Sequence, residues 1–257
     1  MINYIRSESY RILHTKDIYL FTGLMALGIL FLNVGLYVSA GAISGFQYAN
    51  VKFSLSFLTD NMLFLAVAGA ILSVLLFSGE RRIGVMKNAV AYGISRKSLF
   101  LGKCIMSFVA AFASMILLTA VYVISAVLLL DGPVQPYLVL MLQGIAVNLP
   151  FAAAGVILAA GFTQFFEKEL VSGLAWMGVV FLLPAVFYMT GFEIPLLAKI
   201  ASWMPRNYLM TDVMAGMSGY LCLWSEPAGA VKCILAGVAG IIVFAAAGVF
   251  MNRRKEI

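Results

Sequence analysis

The segment ERRIGVMKNAVAYGISRKSLFLGK, Glu80–Lys103, holds six of the chain's 17 Lys and Arg residues and one acid. Long apolar runs, Met62–Ser78 and Ile105–Leu130, flank it. A polar, basic, helix-prone segment between two such runs reads as a loop between membrane spans. Within it Ile83, Met86, Val90 and Ile94 recur at helical spacing, while Arg82, Lys87 and Asn88 fall off that line. The pattern predicts an amphipathic helix of about three turns. Ser95 is an N-cap for a second helix that continues into the next apolar run. Arg96 and Lys97 then occupy a first turn where the helix dipole disfavours cations. Such cations make sense facing lipid phosphates or an acidic partner; a segment that only fixes topology is the plainer alternative.

Composition points the same way. The 257 residues are 63% hydrophobic and 11% charged, against about 25% charged in a soluble domain. The chain has room for about six helices of roughly 20 residues and short connections, one membrane domain spanning 1–257 without a soluble catalytic lobe. The net charge of +6 fits cations gathered on the cytoplasmic side better than nucleic-acid binding, for which no module is present. Cys104, Cys222 and Cys233 have neither CxxC spacing nor a histidine nearby, so no zinc site is indicated, and a Cys222–Cys233 bridge stays open.

Taken in order, residues 1–17 read as an interfacial helix. Spans are expected at about 18–40, 60–78, 105–130, 137–163, 170–190 and 230–251. Residues 41–61 read as an outer loop, with Gly41 and Gly45 a GxxxG pair at a span end. Asp131-Gly132-Pro133 is a turn, and Pro150 predicts a kink. Residues 191–229 are semi-polar and read as short re-entrant helices. With both termini inside, 13 cations lie on inner segments and four on outer ones, while acids split six to five. The asymmetry belongs to Lys and Arg, as the positive-inside rule requires.

The pattern E-x3-G-x2-K-x5-G-x-S-R-x5-G-K, carried by Glu80, Gly84, Lys87, Gly93, Ser95, Arg96, Gly102 and Lys103, resembles the first cytoplasmic loop of the six-span ABC-2 type permeases. These are membrane subunits of bacterial ATP-binding-cassette exporters. The resemblance extends over the chain, including a Pro-x-Asn-Tyr-Leu piece at Pro205–Leu209. It implies a coupling helix at about 82–94 (Arg82, Ile83, Gly84, Met86, Lys87, Val90, Gly93), with Glu80 and Arg81 at its hinge and Arg96 beyond it. Gln164–Glu169, with Glu167, would be the minor contact. It further implies two copies of a separate ABC ATPase, which would bind the ATP and Mg, and a second permease copy or paralogue in a bacterial cytoplasmic membrane. The expected cargo is amphipathic or hydrophobic, such as a membrane-active peptide or peptide antibiotic.

Other chemistry is thin. Lys97–Cys104 lacks the first Gly of a Walker A motif and ends in Cys. His14 is the sole histidine, so Ser172 and Ser218 have no base to activate them; no cofactor or catalytic residue is expected in this chain. The interior of the six spans reads as free of ionisable groups, against an ion-coupled transporter. Asn33, Gln143 and Asn148 are the strongest polar groups there. They either face a substrate path or hydrogen-bond between helices. A non-transporting anchor that recruits a soluble ATPase is the alternative function.

Overall fold

The computed structural model describes residues 2–83, 95–166, 168–216 and 219–253. Those residues are helical apart from turns and one short hairpin. In chain order the elements are α1 (Ile2–His14), α2 (Lys16–Ala42), α3 (Val51–Asp60), α4 (Leu63–Ile83), α5 (Arg96–Leu129) and α6 (Gln135–Phe165). Then come α7 (Glu169–Met177), a π-helical turn (Gly178–Leu182), α8 (Leu183–Thr190), α9 (Pro195–Ser202), α10 (Pro205–Thr211), the hairpin β1 (Val213–Ala215) and β2 (Tyr220–Cys222), and α11 (Pro227–Arg253). Among the described residues five spans (α2, α5, α6, α7–α8 and α11) are long and apolar enough to cross a membrane; α3 and α4, bent by 65°, make a sixth if they count as one. These are the lengths and composition of a multi-pass membrane protein.

Two stretches differ from the sequence expectation. Residues 51–60, expected within a loop, form α3. Asn50 caps it, accepting from Phe53 N–H at 2.8 Å, and Val51 N–H donates to Asp131 O at 3.0 Å. Its serines, threonine and lysine dilute the apolar signal, yet Val51, Leu55, Ser54 and Thr59 are fully buried. Residues 191–229 contain short helices as expected, and also the hairpin, pairing Val213 with Cys222 and Ala215 with Tyr220. Its strands are three residues long, too short for a period-two pattern to stand out from sequence. Gly41 and Gly45 make no helix contact, since a Cβ at either would meet nothing within 4 Å.

The core is organised around α6. It pairs most extensively with α11 and then with α4. On the α11 side the approach rests on missing side chains: a Cβ at Gly237 would lie 2.5 Å from Phe151 N, and one at Gly240 3.1 Å from Ala154 Cβ. Small residues let two backbones close up where apolar burial alone gives no preference over lipid. The helix runs on through Pro150 without a break. In the next span the π turn immediately precedes Pro184, whose ring and missing N–H an unmodified α-helix accommodates poorly.

Candidate functional site

The segment singled out by sequence begins in the last turn of α4, which carries Glu80, Arg81, Arg82 and Ile83, and ends where Arg96 opens α5. Ser95 caps α5 as expected, its hydroxyl accepting from Ser98 N–H at 3.2 Å. Gly84, Met86, Lys87, Val90 and Gly93 lie outside the described residues, as does Glu167. What the structure does describe is the framework on which that segment is mounted.

That framework ties five helices together at one end of the bundle. Ile12 of α1 packs with Leu72 and Leu76 of α4 and Met106 and Ala110 of α5. Arg11 donates to the Glu8 carboxylate at 2.8 and 3.1 Å and to Leu76 O at 3.3 Å. Glu8 is buried, and its charge also acts on Lys103. Lys103, which the sequence places at the end of the basic segment, is 3% exposed, with Nζ 4.9 Å from the Phe77 ring centroid. One helical turn earlier Phe100, fully buried, joins Phe77, Cys104 and Ala160. Its ring sits where a Cβ on Gly248 of α11 would be, 2.4 Å away. A buried acid beside two cations forms a tight polar joint, because breaking one partner strands the others away from water. The ends of α4 and α5 are therefore held to α1, α6 and α11.

The three amides expected to mark a substrate path or bind between helices are not brought together. Asn33 is fully buried and joins three helices: its Nδ2 donates to Ser125 Oγ at 2.7 Å, and its Oδ1 accepts from Ser54 Oγ at 2.7 Å. Tyr122 O–H closes the network on Ser54 O. Asn148 is also buried, donating to Gly144 O of its own helix at 2.9 Å, with Oδ1 unpaired. Gln143 is exposed on α6. None of the three lines the cleft of about 380 Å³ that runs between α2, α4 and α5 over α6.

At the opposite end, side-chain hydrogen bonds hold the short elements. Asn207, within Pro-x-Asn-Tyr-Leu, is buried and donates to Pro184 O at 2.9 Å and Ala201 O at 3.0 Å, joining α8, α9 and α10. Asp60 accepts from Ala215 N–H at 3.1 Å, Tyr220 O–H meets Ser56 Oγ at 2.6 Å, and Lys232 approaches Asp212 at 3.4 Å. Burial, helped by the Asp60 charge, pushes the Cys222 thiol up to about 11. Burial also raises the Tyr220 hydroxyl, against the opposing hydrogen bond from Ser56. Tyr208 is raised by burial first and the neighbouring Cys233 second. All three cysteines are free and buried, and a thiol held protonated is a poor nucleophile. No group of three metal-ligating side chains occurs among the described residues.

No family model, curated protein or solved structure matches this chain.

Proposed function

We propose that this protein is the permease subunit of a bacterial ABC-2 type exporter. It works as a pair of permeases in the cytoplasmic membrane with both termini inside, driven by two copies of a separate ATPase that binds ATP and Mg. Residues 80–96, with Glu80 and Lys87 as principal charges, receive the motor. Glu167 lies in the second contact. Amphipathic or hydrophobic molecules, membrane-active peptides among them, are the cargo. The observation that carries this reading is the joint at the ends of α4 and α5. A push on the basic segment between them reaches α1, α6 and α11 through Arg11–Leu76, Phe100–Ala160 and Phe100–Gly248. A loop serving only to set topology needs no such mounting. The short elements between α8 and α11 would then dip into the outer membrane face.

The test is co-purification with the candidate ATPase, the native chain against Glu80→Ala/Lys87→Glu. The native pair is expected to stay together and show stimulated ATP hydrolysis, and the variant to lose partner or stimulation. Unchanged retention and hydrolysis would leave residues 80–103 as a topogenic segment. Retained, stimulated ATPase with no efflux from vesicles would instead favour a recruiting anchor.

A further inference from the structure

We infer that the cleft between α2 and α4 is a binding site for one acyl chain of a bilayer phospholipid, entered sideways from the membrane. The inference rests on the helices crossing a bilayer and not on the docking of a motor. Along α2 the lining runs from Phe21 to Leu32, and along α5 from Phe108 to Tyr122. At about 1.5 Å per helical residue these walls are roughly 16 and 21 Å long, one leaflet's share or somewhat more of a hydrocarbon core about 30 Å thick. The cleft is elongated parallel to the helices, as lipid tails are.

Its chemistry separates an alkyl chain from a peptide. Among the lining side chains only Ser114, Thr119 and Tyr122 carry oxygen. Ser114 Oγ is engaged by Thr22 at 3.0 Å, and Tyr122 O–H donates to Ser54 O. One hydroxyl, Thr119, is left along the whole length. An extended peptide would enter with two backbone polar groups per residue and nothing to pair them, a heavy cost away from water. An acyl chain has no such groups to strand. The mouth carries Leu24 and Met25 of α2 and Phe64 and Ile71 of α4, all exposed, so it opens onto lipid. The space beside Gly28 is open: a Cβ there would meet nothing within 4 Å.

The chain alone would be reconstituted in nanodiscs of phosphatidylcholine and phosphatidylglycerol, doped with phosphatidylcholine bearing a mid-chain diazirine. After photolysis, labelled residues would be mapped by mass spectrometry. The expected result is labelling concentrated on Ala68 and Met115, above that on Phe31, a lipid-facing residue 74% exposed. Gly28→Trp, which fills the cleft, is expected to bring Ala68 and Met115 down to the Phe31 level while Phe31 itself stays unchanged. Ala68→Phe fills it from the α4 side and, read at Met115, is expected to do the same should the first variant fail to fold. Even labelling in the native protein, or cleft labelling indifferent to both substitutions, would overturn the site. Displacement of the label by an amphipathic helical peptide but not by unlabelled phospholipid would overturn the acyl assignment. With no ATPase present, each of these outcomes leaves the motor-docking test independent.

Discussion

Helices α6 and α2 are both long and apolar, and they are held in opposite ways. In its most apolar stretch α6 has 61% of its residues buried, and α2 has 11%. The first is gripped by close packing: Gly237 and Gly240 of α11 lie against Phe151 and Ala154, and Gly144 makes room for Met62 and Trp224. The second turns Leu20, Leu24, Leu27 and Phe31 outward and is pegged by hydrogen bonds, Asn33 to Ser54 and Ser125, and Thr22 to Ser114. In a bilayer apolar contact between helices competes with equally apolar lipid. Association must then come from packing fit or from polar groups. This fold uses packing fit for its hub and polar pegs for its outrider. A pegged helix can stand off from its neighbours along most of its length, which is why the cleft opens along α2.

Breaking the packed contact should have the largest effect. Gly237→Val puts a branched side chain where the first added carbon already meets Phe151 N at 2.5 Å and Pro150 Cβ at 2.7 Å. Backbone and a proline ring cannot rotate away, so a loss of about 3 kcal/mol or more is expected. Loss of the folded fraction in a detergent unfolding titration would register it. Gly35→Ala on α2, where a Cβ meets nothing within 4 Å, should stay within about 0.5 kcal/mol of the native protein. Equal effects at the two glycines would mean that close packing does not distinguish the helices.

Removing the main peg comes next. Asn33→Ala leaves the buried Ser54 and Ser125 hydroxyls without their shared partner, for an expected loss of about 1–3 kcal/mol. The same titration measures it, and a crosslink between cysteines introduced in α2 and α5 reads whether α2 has come loose. An undiminished crosslink with native stability would show that α2 is held by packing after all.

Much of this was legible beforehand, for physical reasons that differ by region. A run of some twenty apolar residues leaves little choice but a helix, so α2, α5, α6 and α11 follow from composition. Ser95 was recognisable as a cap because a hydroxyl before a helix has a local partner, Ser98 N–H. Helix α3 was not, since its Ser54 finds its partner in Asn33 and its Ser56 in Tyr220, both distant in sequence. The burial of Lys103 was not legible, because its surroundings, Glu8 and Phe77, come from other helices. For Asn33, sequence left open whether the amide faces a path or joins helices; in the structure it hydrogen-bonds to Ser54 and Ser125 on two other helices. The acyl cleft left no sequence signal, being made of side chains indistinguishable from any lipid-facing surface.

The finest test of the pegging idea is the second peg. Thr22 and Ser114 share one hydrogen bond at 3.0 Å, with Ser114 buried and Thr22 half-buried. Thr22→Val keeps the shape and removes the hydroxyl, and a single interhelical bond of this kind averages about 0.6 kcal/mol in membrane proteins. A double-mutant cycle with Ser114→Ala isolates it, because the pair's coupling is what remains after both single losses are subtracted. A coupling near that value, well below the Asn33 effect, would rank the pegs by the number of partners each joins: three helices for Asn33, two for Thr22. A coupling as large as the whole Asn33 effect would move the main attachment of α2 to the end near α1. That end borders the joint of Glu8, Arg11 and Lys103, so α2 would then be a lever fixed beside the charged cluster and free at its far tip.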